Sequence, residues 1–161
     1  MRIVVISDDH NRPDILERIV VLQKDADFFI HLGDGQGSIL QVMEKYPDKS
    51  FVCVAGNCDF QAGLPAEKRF ILGGISFYCT HGHLWGVSAC SPGALSKQEV
   101  TGGARIVLFG HTHVRYCHCQ DEIYYFNPGS CARPRDNQTP SYGVIDIVKG
   151  QPLLFHAQVP K

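Results

Sequence analysis

The sequence predicts an α/β (α+β) fold in which two β-sheets pack together with helices on the outside. Three observations carry this. The first half alternates short apolar runs with segments of helical period, the pattern of parallel strands joined by crossover helices. The second half is strand after strand, broken by tight-turn residues. The strands together are too many to sit comfortably in one open sheet with a helix layer.

Residues 2–7 read as the first strand. A helix near 13–24 follows, with Pro13 in its first turn and Ile15, Leu16, Ile19, Val20 and Leu22 as its apolar face. A strand over 27–32, a helix near 37–46 carrying Ile39, Leu40, Val42 and Met43, and a strand over 51–55 complete a βαβαβ unit with parallel pairing. Strands over 68–72 and 75–80 are joined by Gly73-Gly74, a hairpin signal. A loop with a weak helix covers 84–104. Strands over 105–109, 114–119, 122–126, 142–148 and 152–158 follow, with tight turns at Gln120-Asp121 and Gly150-Gln151. This half is expected to be mostly antiparallel. Nothing along the chain signals a linker or a repeat, so residues 1–161 are expected to form one domain.

Composition narrows the function. The chain has 161 residues, 44% hydrophobic and 19% charged, with formal net charge −1. No cluster of Lys and Arg stands out, which argues against a nucleic-acid polymer as partner. No apolar run approaches the roughly 20 residues of a membrane span. The sequence enters a strand directly, without a signal peptide, and the expected location is cytoplasmic. The seven cysteines are an odd number and contain no CxxC pair, so the expectation is reduced thiols, mostly buried.

The informative feature is where the strands stop. Five apolar runs end at Asp8-Asp9-His10, Gly33-Asp34, Gly56-Asn57, His81-Gly82-His83 and Gly110-His111-Thr112-His113. Open α/β sheets build their sites outside the carboxyl ends of strands, so these side chains are expected to gather in one place. Asp8 and His10 are two apart at a strand end and should share a face, with Asp9 turned away; His111 and His113 repeat that spacing. The set Asp8, His10, Asp34, Asn57, His81, His111 and His113 is mixed oxygen and nitrogen, suited to Mn, Fe, Co, Ni or Zn. Seven ligands exceed one coordination sphere. With one carboxylate shared they fill two sites, the arrangement that clamps both oxygens of an in-line displacement. Gly33, Gly56 and Gly110 let the chain turn and approach that site closely.

The blocks Asp8-x-His10, Gly33-Asp34, Gly56-Asn57-x-Asp59, His81-Gly82-His83 and Gly110-His111-x-His113 resemble, in content and order, those of calcineurin-like metallophosphoesterases. Together with Asn127-Pro128-Gly129-Ser130 and the short length, they resemble the small YfcE-type phosphodiesterase branch. The resemblance implies a four-layer αββα sandwich of two mixed sheets flanked by helices. It implies one divalent metal held by Asp8, His10, Asp34 and His113 and a second by Asp34, Asn57, His81 and His111, with Asp34 bridging. Manganese comes first for the pair; Fe, Ni, Co and Zn are the alternatives. The implied activity is hydrolysis of small phosphodiesters by a metal-bridging hydroxide. A phosphomonoesterase with the same site, or a non-catalytic scaffold module like the retromer subunit of this fold, are the alternatives. A homo-oligomer is left open.

The chain departs from the pattern at Asp9 and Asn11, where relatives often have Thr or Ser and then Gly. It also departs at Cys58, where protein phosphatases of the superfamily place a His that helps protonate the leaving group. No catalytic acid stands out. His83 is the weak candidate, and with Asn57 it is the candidate substrate contact. His31 reads as a hydrogen-bonded core residue, and Asn127 to Ser130 as a turn. Arg133 and Arg135 lie in a Pro-rich loop where solvated arginines are the default. Trp85 either floors a pocket or covers the core.

Overall fold

The computed structural model describes residues 1–35, 37–60 and 63–160. Strands β1 (Arg2–Ile6), β2 (Phe28–His31) and β3 (Phe51–Cys53) are joined by helices α1 (Pro13–Leu22) and α2 (Ser38–Lys45). They pair in parallel, β1 with β2 and β2 with β3, so the expected βαβαβ unit forms. Strands β4 (Glu67–Leu72) and β5 (Ile75–Thr80) form an antiparallel hairpin over Gly73 and Gly74, both at positive φ. A 3₁₀ turn at Gly93–Ser96 and the single-turn α3 (Gln98–Thr101) interrupt the long connection to β6 (Ile106–Leu108). Then come β7 (Arg115–Gln120), β8 (Ile123–Pro128), β9 (Ser141–Val148) and β10 (Gln151–Gln158).

Two mixed five-stranded sheets result, in the orders β10-β9-β1-β2-β3 and β4-β5-β6-β8-β7. The second sheet is less antiparallel than expected. Its centre, β5–β6 and β6–β8, is parallel, and antiparallel pairing is confined to the flanks. The connection through residues 81–105 is long enough for the crossover that parallel pairing needs. The last hairpin also returns to the first sheet, where β9 pairs antiparallel with β1.

Side-chain alternation sets the layers. On β1, Ile3 and Val5 face the second sheet and pack with Ile75, Phe77, Ile106 and Leu108. Val4 and Ile6 face the other way, against Leu16 and Ile19 of α1 and Val42 of α2. The outer face of the second sheet, Tyr78, Val107, Phe109 and Tyr125, is covered by Leu95 and, at its margin, Trp85 and Val87. That outermost layer is mostly loop. Trp85 packs there, which favours its role as cover for the core. Among the described residues no helix is long and apolar enough to cross a membrane. The thiols are all free; Cys53, Cys79 and Cys131 are buried, while Cys90, Cys117 and Cys119 are exposed, more than expected.

Candidate metal centre

The loops leaving β1, β2, β3, β5 and β6 converge at one edge of the sandwich, and backbone bonds lock them together. Asp8 N–H donates to Gly33 O (3.0 Å) and His10 N–H to Asp34 O (2.9 Å). Asp59 ties the second loop to the third: its carboxylate accepts from Asp34 N–H (2.7 Å) and Gly56 N–H (2.8 Å). Gly33 and Gly56 meet backbone to backbone, and a Cβ on either would collide with the other's loop. Gly110 is the equivalent contact between sheets. A Cβ there would strike Ser7 Oγ and come 2.9 Å from Asp8 Oδ2.

All seven candidate ligands lie at this edge, but the local geometry differs from the strand-pleat expectation. β1 ends at Ile6, and Asp8, His10, Asp34, His111 and His113 all have positive φ, between 47° and 67°. The two-residue spacing therefore works through left-handed turns beyond the strand ends. Such conformations cost roughly 1–3 kcal/mol each outside glycine and cluster at functional sites.

The side chains present acceptors to one another. Asp8 Oδ1 lies 3.3 Å from His113 Nε2 and 3.9 Å from His81 Nε2, is buried, and has no hydrogen-bond partner among the described residues. His10 Nε2 is 3.1 Å from His113 Nε2. Asn57 Oδ1 is 3.1 Å from His81 Nε2 and 3.0 Å from His111 Nδ1. Asp34 Oδ2 is 3.5 Å from His81 Nε2. Two tautomers are decided by the backbone. His81 Nδ1–H donates to Leu32 O and His113 Nδ1–H to Arg133 O, both at 2.7 Å. In the neutral rings the Nε2 lone pairs must then point into the site. Asn57 Oδ1 facing the His81 Nε2 lone pair at 3.1 Å sets acceptor against acceptor, which needs a cation or a proton between them.

Three groupings have donor atoms close enough for one ion: Asp8–His10–His113, His10–Asp34–Cys58 and Asp8–Asp34–His81. Asp34 and Asp8 each belong to two of them. The ionisation of the site follows from the same contacts. Burial opposes charge on Asp8, but the close approach of the His113 ring and the nearby His81 outweigh it and hold its carboxyl below the usual range. Asp34 is likewise held low, burial being outweighed by the His81 contact and by bonds from Cys58. Burial lowers His81, yet Asp34 and Asp8 bring it above the ordinary histidine value. On the other flank burial lowers His10, helped by His113 and the Arg133 guanidinium, against Asp8 and Asp34.

Cys58 adjoins the set. Its N–H donates to Asp34 Oδ1 (2.8 Å) and its thiol faces Asp34 Oδ2 (3.3 Å). Burial and the Asp34 contact push the thiol up to about 11. His83 stands 5.5 Å from His81 and 6.2 Å from His111, ring to ring, with its Nδ1 buried and unpartnered among the described residues. Asp9 turns away, as expected. It is buried, and it accepts from His31 Nε2–H (2.8 Å), from Arg12 N–H (3.1 Å) and from the Ser38 hydroxyl. His31 Nδ1 accepts from Gly33 N–H (3.2 Å). His31 is thus a core residue that braces the Asp34 loop.

The sequence reading missed the braces between the sheets. Ser130 Oγ donates to Asp8 O (2.7 Å) and accepts from Ala132 and Arg133 N–H. Asn127 Nδ2 donates to Gly110 O (2.7 Å) and Thr112 Oγ1 (3.1 Å), while its Oδ1 accepts from Gly129 N–H. Asn127 and Pro128 end strand β8 rather than lie in a turn, and with Gly129 and Ser130 they brace the ligand loops.

A family model, the calcineurin-like phosphoesterase superfamily domain, matches residues 1–150. The chain belongs to that superfamily. Within it, the chain is 29% identical over 169 residues to phosphodiesterase YfcE of Escherichia coli, covering 91% of this chain and 88% of the relative. The crystal structure of a predicted phosphoesterase from Streptococcus pneumoniae superposes with TM-score 0.78 at 26% identity, over 97% of each chain. Vps29 from Entamoeba histolytica superposes with TM-score 0.74 at 20% identity over 98% of each chain, a likeness of fold alone. The superfamily fold is the two-sheet sandwich described above, and the calcineurin-like superfamily is one of metal-dependent hydrolases of phosphate esters.

Proposed function

We propose that residues 1–161 act as one domain with the activity of a two-metal phosphodiesterase on small diesters. The observation that carries this is the convergence of the buried, unpartnered Asp8 Oδ1 with His10 Nε2 and with the Nε2 atoms of His81 and His113, whose Nδ1 protons are committed to backbone carbonyls. In this reading Asp8, His10, Asp34 and His113 hold one divalent ion and Asp34, Asn57, His81 and His111 the other, with manganese first. Such an ion pair supplies hydroxide at neutral pH and neutralises charge on phosphoryl oxygens. The chain's own work is positional. Leu32 O and Arg133 O orient the His81 and His113 rings. Ser7 Oγ–H and His111 N–H occupy Asp8 Oδ2, leaving Oδ1 as its free oxygen. Cys58 N–H holds Asp34 Oδ1, and its thiol contacts Oδ2. Asn57 and His83 are the substrate contacts of this reading. His83, with an uncommitted Nδ1 at the flank, is the group to hold a proton for a leaving oxygen.

Metal content and turnover of protein prepared without chelator test the proposal. Two ions per chain and faster hydrolysis of bis-p-nitrophenyl phosphate than of p-nitrophenyl phosphate are expected; the reverse preference makes it a monoesterase. The fold likeness to Vps29 favours a scaffold as the second reading. One ion or fewer per chain, with no turnover, would establish that reading instead.

A further inference from the structure

Every arginine except Arg133 and Arg135 has its guanidinium bonded to a protein oxygen, as with Arg2 on Asp146, Arg69 on Val100 O and Arg115 on Asp136. Arg133 is exposed, and its guanidinium has no hydrogen bond or ion pair among the described residues. Its backbone, by contrast, is fastened to the candidate metal centre. Arg133 N–H donates to Ser130 Oγ (2.7 Å), Arg133 O accepts from the His113 ring (2.7 Å), and Arg135 N–H donates to His113 O (3.0 Å). Pro134 restricts Arg133 further to extended backbone. A free guanidinium thus rises from a stiff segment on the His10–His113 flank, close enough for its charge to be felt at His10.

A scissile phosphoryl belongs among the seven ligands, inside the rim that Arg133 occupies. What a rim guanidinium can meet is the rest of the substrate. Its planar donors match phosphate and carboxylate oxygens, two at a time.

We propose that Arg133 is a substrate-positioning residue that binds a second phosphate of the substrate, so that the preferred esters carry a phosphate beyond the one cleaved. This deepens the phosphodiesterase reading and rests on it. A solvent-facing ion pair of this kind is worth roughly a fivefold change in affinity.

The test uses two pairs of probes on the manganese-loaded protein. Binding of thymidine 3′,5′-bisphosphate and of thymidine 5′-phosphate is measured by calorimetry. Turnover is measured on the p-nitrophenyl 5′-esters of the same two nucleotides. The wild type should favour the bisphosphate about fivefold in Kd and in KM. Arg133→Gln should bring that ratio to about one with metal content retained, and Arg133→Lys should restore part of it. An unchanged ratio in Arg133→Gln overturns the proposal. So does loss of metal and of both affinities together, because that is the signature of a merely structural segment. If the wild type turns over neither ester while the binding ratio still depends on Arg133, the phosphodiesterase reading fails and the phosphate site stands.

Discussion

The two sheets bring unlike chemistry to the edge they share. The first contributes Asp8, Asp34 and Asn57, three oxygen donors, and His10; the second contributes only imidazoles, His81, His111 and His113. Two of the three close groupings draw on both sheets. The oxygen side is also the more firmly built. Its loops exchange backbone bonds and share Asp59. The imidazole side is joined to it by side-chain links, chiefly His81 Nδ1–H on Leu32 O, Ser130 on Asp8 O and His111 N–H on Asp8 Oδ2. The centre is therefore assembled by docking one sheet on the other, and its weak point is the seam.

The sharpest way to break the comparison is on the oxygen side. Asp34→Asn removes a carboxylate that lies near both flanks. Turnover should fall by more than about 100-fold, since even indirect supports of metal sites cost 10–100-fold. Metal content should drop below two per chain while the circular dichroism spectrum stays intact. Wild-type turnover in this variant would move the bridging role to Asp8.

The next largest effect tests the seam. Ser130→Ala leaves Asp8 O and two N–H groups without their partner, for a loss of about 1–3 kcal/mol in chemical denaturation. Activity should fall with it because Asp8 is displaced. A stable variant with normal turnover would show that the seam carries no strain.

Acid should expose the contribution of Asp34 when wild type and variant are compared. Asp8 and Asp34 are held below their ordinary value of 3.8. Their contribution to stability is present above that pH and lost as pH falls through the lower folded values. The melting temperature of metal-free protein should therefore decline below about pH 4 more steeply than that of Asp34→Asn. Parallel curves would remove Asp34 from the acid transition.

The smallest effect expected is at Cys58. Its thiol adjoins Asp34 but its backbone N–H makes the shorter bond. Cys58→Ser should keep both metals and most diesterase activity. Loss of metal on elemental analysis would place sulfur inside the ligand set, as its grouping with His10 and Asp34 allows.

Much of this was legible in the sequence because burial writes a simple code. A run such as Ile3 to Ile6 that stops at a polar residue marks both a strand and its exit. Asp9 and His31 were readable for the same reason: one lay next to a ligand on the opposite side, the other inside a strand. The seam was not legible. Ser130 and Asp8 are 122 positions apart, and no local period connects them. The parallel centre of the second sheet was hidden because residues 81–105 carry only the 3₁₀ turn and α3, too little helix to signal a crossover. The Arg133 carbonyl was invisible as a ring-orienting group because any residue has one.

The left-handed backbone at Asp8, His10, Asp34, His111 and His113 narrows what can replace them. Asp, Asn and His are the side-chain-bearing residues that tolerate this conformation best. The alphabet at these positions is filtered twice, once by what coordinates and once by what the main chain can bear. A change such as Asp8→Glu keeps the charge and fails the second filter. For this edge of the molecule the accessible mutational paths between ligand sets are few, and they run through asparagine.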